Sequence, residues 1–287
     1  MSVIAAGLPD SRAESLQDAV RVILDREQGE LPVLPEVAAQ LMRLTADVDC
    51  DPAEIVPLIR RDQSLTTHLL RIANSVRYGT GVTVSSIQQA VARLGLLRLR
   101  EIVVLIACRC RIFDVAGFEA DVRRSFRNSL AAAAFSQEIA RVRRLNVEEA
   151  FLAGLLHDVG RPILLQALND RRRTCGLVSS DDDLRQASED HRVALAARLI
   201  TAWELSERVA RVVGYQLEPQ NAAAYVAQAA VLRLALDLSD KALAPQGTIT
   251  PADFSDELVS LLVLYPEHVD RIISKQGEIV DWVDSTL

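Results

Sequence analysis

Apolar residues recur along this chain at intervals of three and four and almost never in alternation. A chain patterned this way can bury its apolar surface only by packing helix against helix. Leu16, Ala19, Val20, Ile23 and Leu24 carry the period from Ser15 to Gln28, and Val37, Ala38, Leu41 and Met42 repeat it after Pro35. Breaks separate the periodic stretches: Gly29, the rigid link Leu31-Pro32-Val33-Leu34-Pro35, Asp51-Pro52-Ala53-Glu54, and Gly95. Asp62-Gln63-Ser64-Leu65 starts another helix that reaches Asn74-Ser75, and Tyr78 to Gly81 reads as a loop. Ser85, with Gln88 returning to it, caps a helix that Gly95 ends; Leu96 to Cys110 follows as a strongly apolar one. No internal repeat, heptad run or strand alternation appears, so the expectation is an all-α fold.

The second half repeats the pattern around one apolar run. Asn146 caps a helix with Glu149 returning to it, and Phe151 to Leu156 is apolar almost all round, so that helix is expected to be buried. It ends in His157-Asp158, an imidazole and a carboxylate side by side. Such a pair is either two metal ligands or a polar pair satisfied by its neighbours, and adjacent residues cannot fill a coordination sphere alone. Before it, Asp114 to Gly117 reads as a hinge and Arg123 to Arg144 as one long helix. After it, Arg171 to Asp183 reads as a mobile polar loop, and His191 stands near the start of a helix ending at Trp203. Ser206 opens a helix that stops near Tyr215-Gln216, Ala222 to Leu238 forms a central helix, and Thr250 and Pro266 start the last elements.

Charge narrows the partners. A net charge of −7 disfavours nucleic acid. The cations are nearly all arginine, with Lys241 and Lys275 the only lysines. Arg123, Arg124 and Arg127 form a local group that could recognise phosphate, since guanidinium forks suit it, or could be a solvated helix face. No apolar run is long enough for a membrane span, and the start lacks a signal-peptide pattern, so cytoplasm is the expected location. Cys50, Cys108, Cys110 and Cys175 have no zinc-type spacing and are expected as reduced thiols.

Several separated motifs, in order, carry a resemblance. Leu31-Pro32-x-x-Pro35, Ile59-x-x-Asp62-x-x-Leu65-Thr66, Leu69 to Ser75, Ile87-x-x-Ala90-x-x-x-Leu94-Gly95, Ala150 to Leu164 and the stretch past Trp203 together resemble the HDOD family. That family comprises bacterial, all-helical output modules related to the HD metal-dependent phosphohydrolases. The resemblance covers roughly residues 30 to 240. It implies a two-lobed, HD-like helical bundle, with an N-terminal helix (1–29), an N-terminal lobe (30–117), an HD-like lobe (118–240) and a C-terminal helical extension (241–287).

The resemblance also implies where metal ligands would stand in an active relative. His157 and Asp158 match the His-Asp pair. The first His of the pattern falls at Asn128, a poorer donor for a transition metal. His191 matches an added His of two-metal relatives, and a later His pair falls at Tyr215-Gln216, where neither residue replaces an imidazole. The late acid aligns with Leu236, with Asp237 beside it but turned by about 100°. An open catalytic site needs about three protein ligands per metal. The set therefore reads as vestigial, with no resident cofactor and at most weak divalent-metal binding, and His157 and Asp158 then lock helices together.

The resulting expectation is a non-catalytic regulatory module in signal transduction. It would act through a protein partner or a small signal molecule, as a stand-alone component without a receiver or cyclase domain. Two alternatives stay open. One is a metal-dependent phosphohydrolase or cyclic-nucleotide phosphodiesterase; the other is a nucleotide or nucleic-acid binder using Arg123, Arg124 and Arg127. Oligomeric state is open as well.

Overall fold

A computed structural model describes residues 15–25, 39–41, 44, 52–61, 63–75, 83–107 and 115–286. Among these residues there is no strand, as the apolar spacing requires. The Pro-rich link at 31–35, the loop at 78–81 and Cys50, Cys108 and Cys110 lie outside the described residues, and of the helix expected after Pro35 only 39–41 and 44 are described, helical and with Leu41 buried. Among the described residues, no helix is long and apolar enough to cross a membrane.

The N-terminal part holds α1 (Leu16–Leu24), α2 (Pro52–Arg60), α3 (Gln63–Ala73) and α4 (Ile87–Ala107). Ser15 caps α1, its oxygen accepting from Asp18 N at 3.1 Å. The start of α4 sits one residue beyond the expected position. Ser86 takes Gln89 N at 3.2 Å, and Gln89 rather than Gln88 reaches back to Ser85 N. Gly95, with φ 72° and ψ 166°, breaks α4 into two helical segments at the expected place. A left-handed φ of that kind is one that glycine adopts without steric cost.

The rest is organised around α5 (Glu119–Val142), which is buried from Ser129 to Ala140. Against it pack α6 (Val147–Leu156) and α10 (Val226–Leu243). Between them in sequence come α7 (Gly160–Thr174), α8 (Asp181–Ala202) and α9 (Glu207–Gly214). Asn146 caps α6, accepting from Glu148 N and Glu149 N, both at 3.1 Å. The returning half of that box is not made. Glu149 instead takes Ser206 Oγ at 3.1 Å and an Arg208 guanidinium at 2.8 Å, tying α6 to α9.

The polar stretch 171–183 is not the long loop expected. α7 continues to Thr174, and α8 starts at Asp181 behind a Ser180/Asp183 capping box. Three aspartates in the first turn of α8 favour its positive end, and Arg172 bridges to Asp181 at 2.6 Å. A charge run that reads as loop by composition is thus helix-terminal by electrostatics.

Residues beyond 241 pack back on the body through α11 (Asp256–Leu261), α12 (Pro266–Ile273) and α13 (Gln276–Thr286). Trp282 is fully buried with its ring 6.5 Å from that of Phe151. Arg71 donates to the Thr286 carbonyl at 2.7 Å, and Arg127 pairs with Asp284 at 2.9 Å. One C-terminal helix therefore touches both α3 and α5.

Candidate functional site

The apolar run of α6 ends by delivering His157 and Asp158 into the interior, where they are 6% and 4% exposed. The two side chains do not partner each other. His157 Nδ1 lies 2.7 Å from the Gly154 carbonyl, which can only accept, so Nδ1 carries the proton. Burial pushes the imidazole below its ordinary pKa, and the nearby Asp158 charge and the Gly154 bond only partly oppose it.

That depression carries a pH signature. The unfolded chain takes up a proton on His157 near pH 6.5 and the folded chain does not, so stability is full above about pH 6.5 and falls as pH drops below it. Urea melts of the parent should weaken between about pH 6.5 and pH 5, and His157→Gln should flatten that segment. A parent curve flat through this window would contradict a buried neutral imidazole.

Asp158 is held by three groups from three helices. Ser125 Oγ on α5 donates to Oδ2 at 2.5 Å, and Arg161 Nε on α7 donates to the same oxygen at 2.8 Å. Arg192 Nη1 on α8 stands 3.3 Å from Oδ1 as an ion pair. Glu189 closes the circuit, 2.5 Å from Arg161 Nη2 and 2.9 Å from Arg192 Nε. Two carboxylates and two guanidiniums thus alternate in a ring. Burial alone would raise the Asp158 carboxyl, but the positive neighbours, Arg161 foremost, outweigh it and hold the pKa below the ordinary value.

The other sequence candidates scatter. Asn128 does face this region, but its amide nitrogen donates to Asp240 at 3.1 Å. Asp240 was not among the candidates. It is one turn beyond Leu236 on the same face of α10, and that i,i+4 spacing was the available signal. Partial burial and the nearby Asp237 push the Asp240 carboxyl up. Asp237 turns aside and pairs with Arg233 at 2.5 Å on its own helix. His191 does not reach Asp158: it lines a separate cleft against Leu16, Val20 and Arg21 of α1. Its neighbour Arg192, about 100° round the helix, takes the inward position. Tyr215 caps the end of α9. Gln216, fully buried, donates to the carbonyls of His157 and Val213 at 3.1 and 3.0 Å and so locks the backbone under the pair.

The three arginines of the expected phosphate group do not act together. Arg127 is committed to Asp284, Arg123 is exposed, and Arg124 lines a cleft beside Asp158. That cleft, about 460 Å³, is walled by Asp121, Asn128, Arg161, Arg185 and Glu189 as well.

This donor set does not fit a divalent metal. A cation approaching Asp158 would meet Arg161 and Arg192 already on its oxygens, and like charges at such distances repel strongly in a partly dry site. Among the described residues, no three His, Cys, Asp or Glu side chains come together as ligands.

The same architecture occurs in solved structures. A provisionally named phosphohydrolase from Shewanella amazonensis SB2B is 22% identical, with a TM-score of 0.70 over 94% of this chain and 98% of its own. A provisionally named signal transduction protein from Marinobacter aquaeolei VT8 is 21% identical, with a TM-score of 0.65 over 94% of this chain and 65% of its own. At these identities the likeness concerns the fold. A protein of Treponema pallidum (strain Nichols), named only as uncharacterized, is 25% identical over 140 residues. The match takes in 48% of this chain and spans only 27% of that relative. The profile of the HDOD domain matches residues 31–219, most of the chain and all of the His157–Asp158 region, so this protein belongs to the HDOD domain family.

Proposed function

We propose that this chain is a non-catalytic HDOD regulatory module that acts in signal transduction by binding a protein partner or a small signal molecule. The observation that carries the reading is the ring of Asp158, Arg161, Glu189 and Arg192. Two guanidiniums take the counter-charge role that a metal pair would otherwise have, and they leave no Lewis acid to activate water. What remains is a helical scaffold whose polar ring, buried at Asp158 and open to solvent at Glu189, joins α7 to α8 and reaches α5 through Ser125. The charges of such a ring are matched in one packing arrangement and stranded in others, a property suited to a two-state signalling element.

The test is elemental analysis joined to turnover. Washed protein should hold far less than one equivalent of iron, manganese or zinc, and chelator should leave its melting curve unchanged. Bis(p-nitrophenyl) phosphate and cyclic dinucleotides should survive incubation with magnesium, manganese or ferrous ion. Stoichiometric metal, or turnover that vanishes in His157→Ala, would establish the phosphohydrolase reading instead.

A further inference from the structure

A second cleft, about 390 Å³, opens where α4, α5 and the start of α13 meet, away from Asp158. Arg93 and Arg98 enter it from α4, Arg141 from α5, and Lys275 from the turn before α13. Five residues apart on a straight helix, Arg93 and Arg98 would point about 140° from each other. The left-handed Gly95 between them breaks the helix, and both then line the one cleft.

The acids present are placed mostly behind the cations. Glu101 is 1% exposed and takes Arg98 at 3.0 Å and the amide of Gln137 at 2.9 Å. Glu138 is nearly buried under Arg141, to which it is hydrogen-bonded. Among the described residues lining the cleft, only Glu278, 2.7 Å from Lys275, presents a carboxylate with comparable exposure. Glu101 and Glu138 hold Arg98 and Arg141 from the buried side, and a guanidinium has five donors and an ammonium three, more than one carboxylate takes up.

From this geometry we infer that the cleft is a binding site for a small ligand carrying a phosphate group, gripped jointly by Arg98, Arg141 and Lys275. Arginine forks match phosphate oxygens bidentately, and a volume of this order is typical of small-molecule sites. A ligand held there would bridge the N-terminal helices to α5 and to the C-terminal segment. No residue of the Asp158 ring lines this cleft, so phosphate binding here is independent of the regulatory reading.

Calorimetric titration of inorganic pyrophosphate into the full chain tests it. Saturable binding is expected, weaker at about 200 mM than at about 50 mM salt because the contacts are charged and partly exposed. Arg141→Gln combined with Lys275→Gln should weaken it about tenfold or more. Both side chains are about a third exposed and a glutamine amide can still donate to the nearly buried Glu138, so the variant should stay folded, which its urea melt checks. Arg173→Gln combined with Arg211→Gln, both exposed and away from the cleft, removes equal charge elsewhere and should leave the affinity as it was. Glu278→Gln, which takes a negative charge out of the cleft, should strengthen binding. No saturable heat up to about 10 mM ligand, equal weakening in both double variants, or weaker binding in Glu278→Gln would each overturn the site.

Discussion

Asp158→Ala should lower the free energy of unfolding by about 3–5 kcal/mol, read from urea melts at neutral pH, because it breaks a buried ion pair by removing one partner. The substitution strands Arg161 and Arg192, whose side chains are 25% and 14% exposed, with Glu189 as their shared counter-charge. It also leaves Ser125 Oγ without its acceptor. His157 is not the stranded partner, since its ring bonds to Gly154 rather than to Asp158. Removing both signs together should cost less, so Asp158→Leu with Arg192→Met should recover part of the loss. The melts should be the same with and without chelator. A loss below about 1 kcal/mol, or a double variant no better than the single, would remove the ring from the account of stability.

Gly160→Ala and Gly154→Ala should each cost about 3 kcal/mol or more, the upper range of overpacking penalties. A Cβ on Gly160 would stand 2.1 Å from the Arg192 carbonyl oxygen and 2.9 Å from Ala196 N. A Cβ on Gly154 would stand 2.5 Å from both Cα and N of Ala133. All of these are backbone atoms of α8 or α5, which cannot rotate aside as a side chain can, so helix must move from helix. Gly160→Ala should also loosen Arg192 from Asp158, linking packing to the charge ring. Gly277, in α13, provides the control: nothing lies within 4 Å of its Cβ position, so Gly277→Ala should stabilise by up to about 1 kcal/mol. Gly160→Ala melting within about 0.5 kcal/mol of the parent would mean that the close approach of α7 and α8 is not a constraint.

Helix class, the cap at Asn146, the break at Gly95 and the burial of Phe151 to Leu156 were legible in the sequence. Each depends on local spacing and backbone chemistry within a few residues. The motif order likewise sufficed for the family. Local composition misled at 171–183, where a run of arginines and aspartates belongs to the ends of two helices and is held by their dipoles and by Arg172–Asp181.

The identity of the site was a different kind of question. Periodicity says which face of a helix turns inward, but a polar residue at the edge of that face finds its partner only when another helix arrives at a particular rotation. His191 and Arg192 are neighbours in sequence, and the rotation of α8 sends the arginine to Asp158 and the histidine to α1. Asp240 meets Asn128 across 112 residues, while Asp237, one turn nearer in the alignment, closes on Arg233. Arg161 could have been read as a partner of Asp158 from its i,i+3 spacing, but not that it would share Glu189 with Arg192. Likewise the four cations of the second cleft lie on both sides of a broken helix and at two distant positions. Local spacing decided what is helical and what is buried; the rotation and approach of whole helices, set by contacts such as Gly160 on Arg192, decided which charges meet.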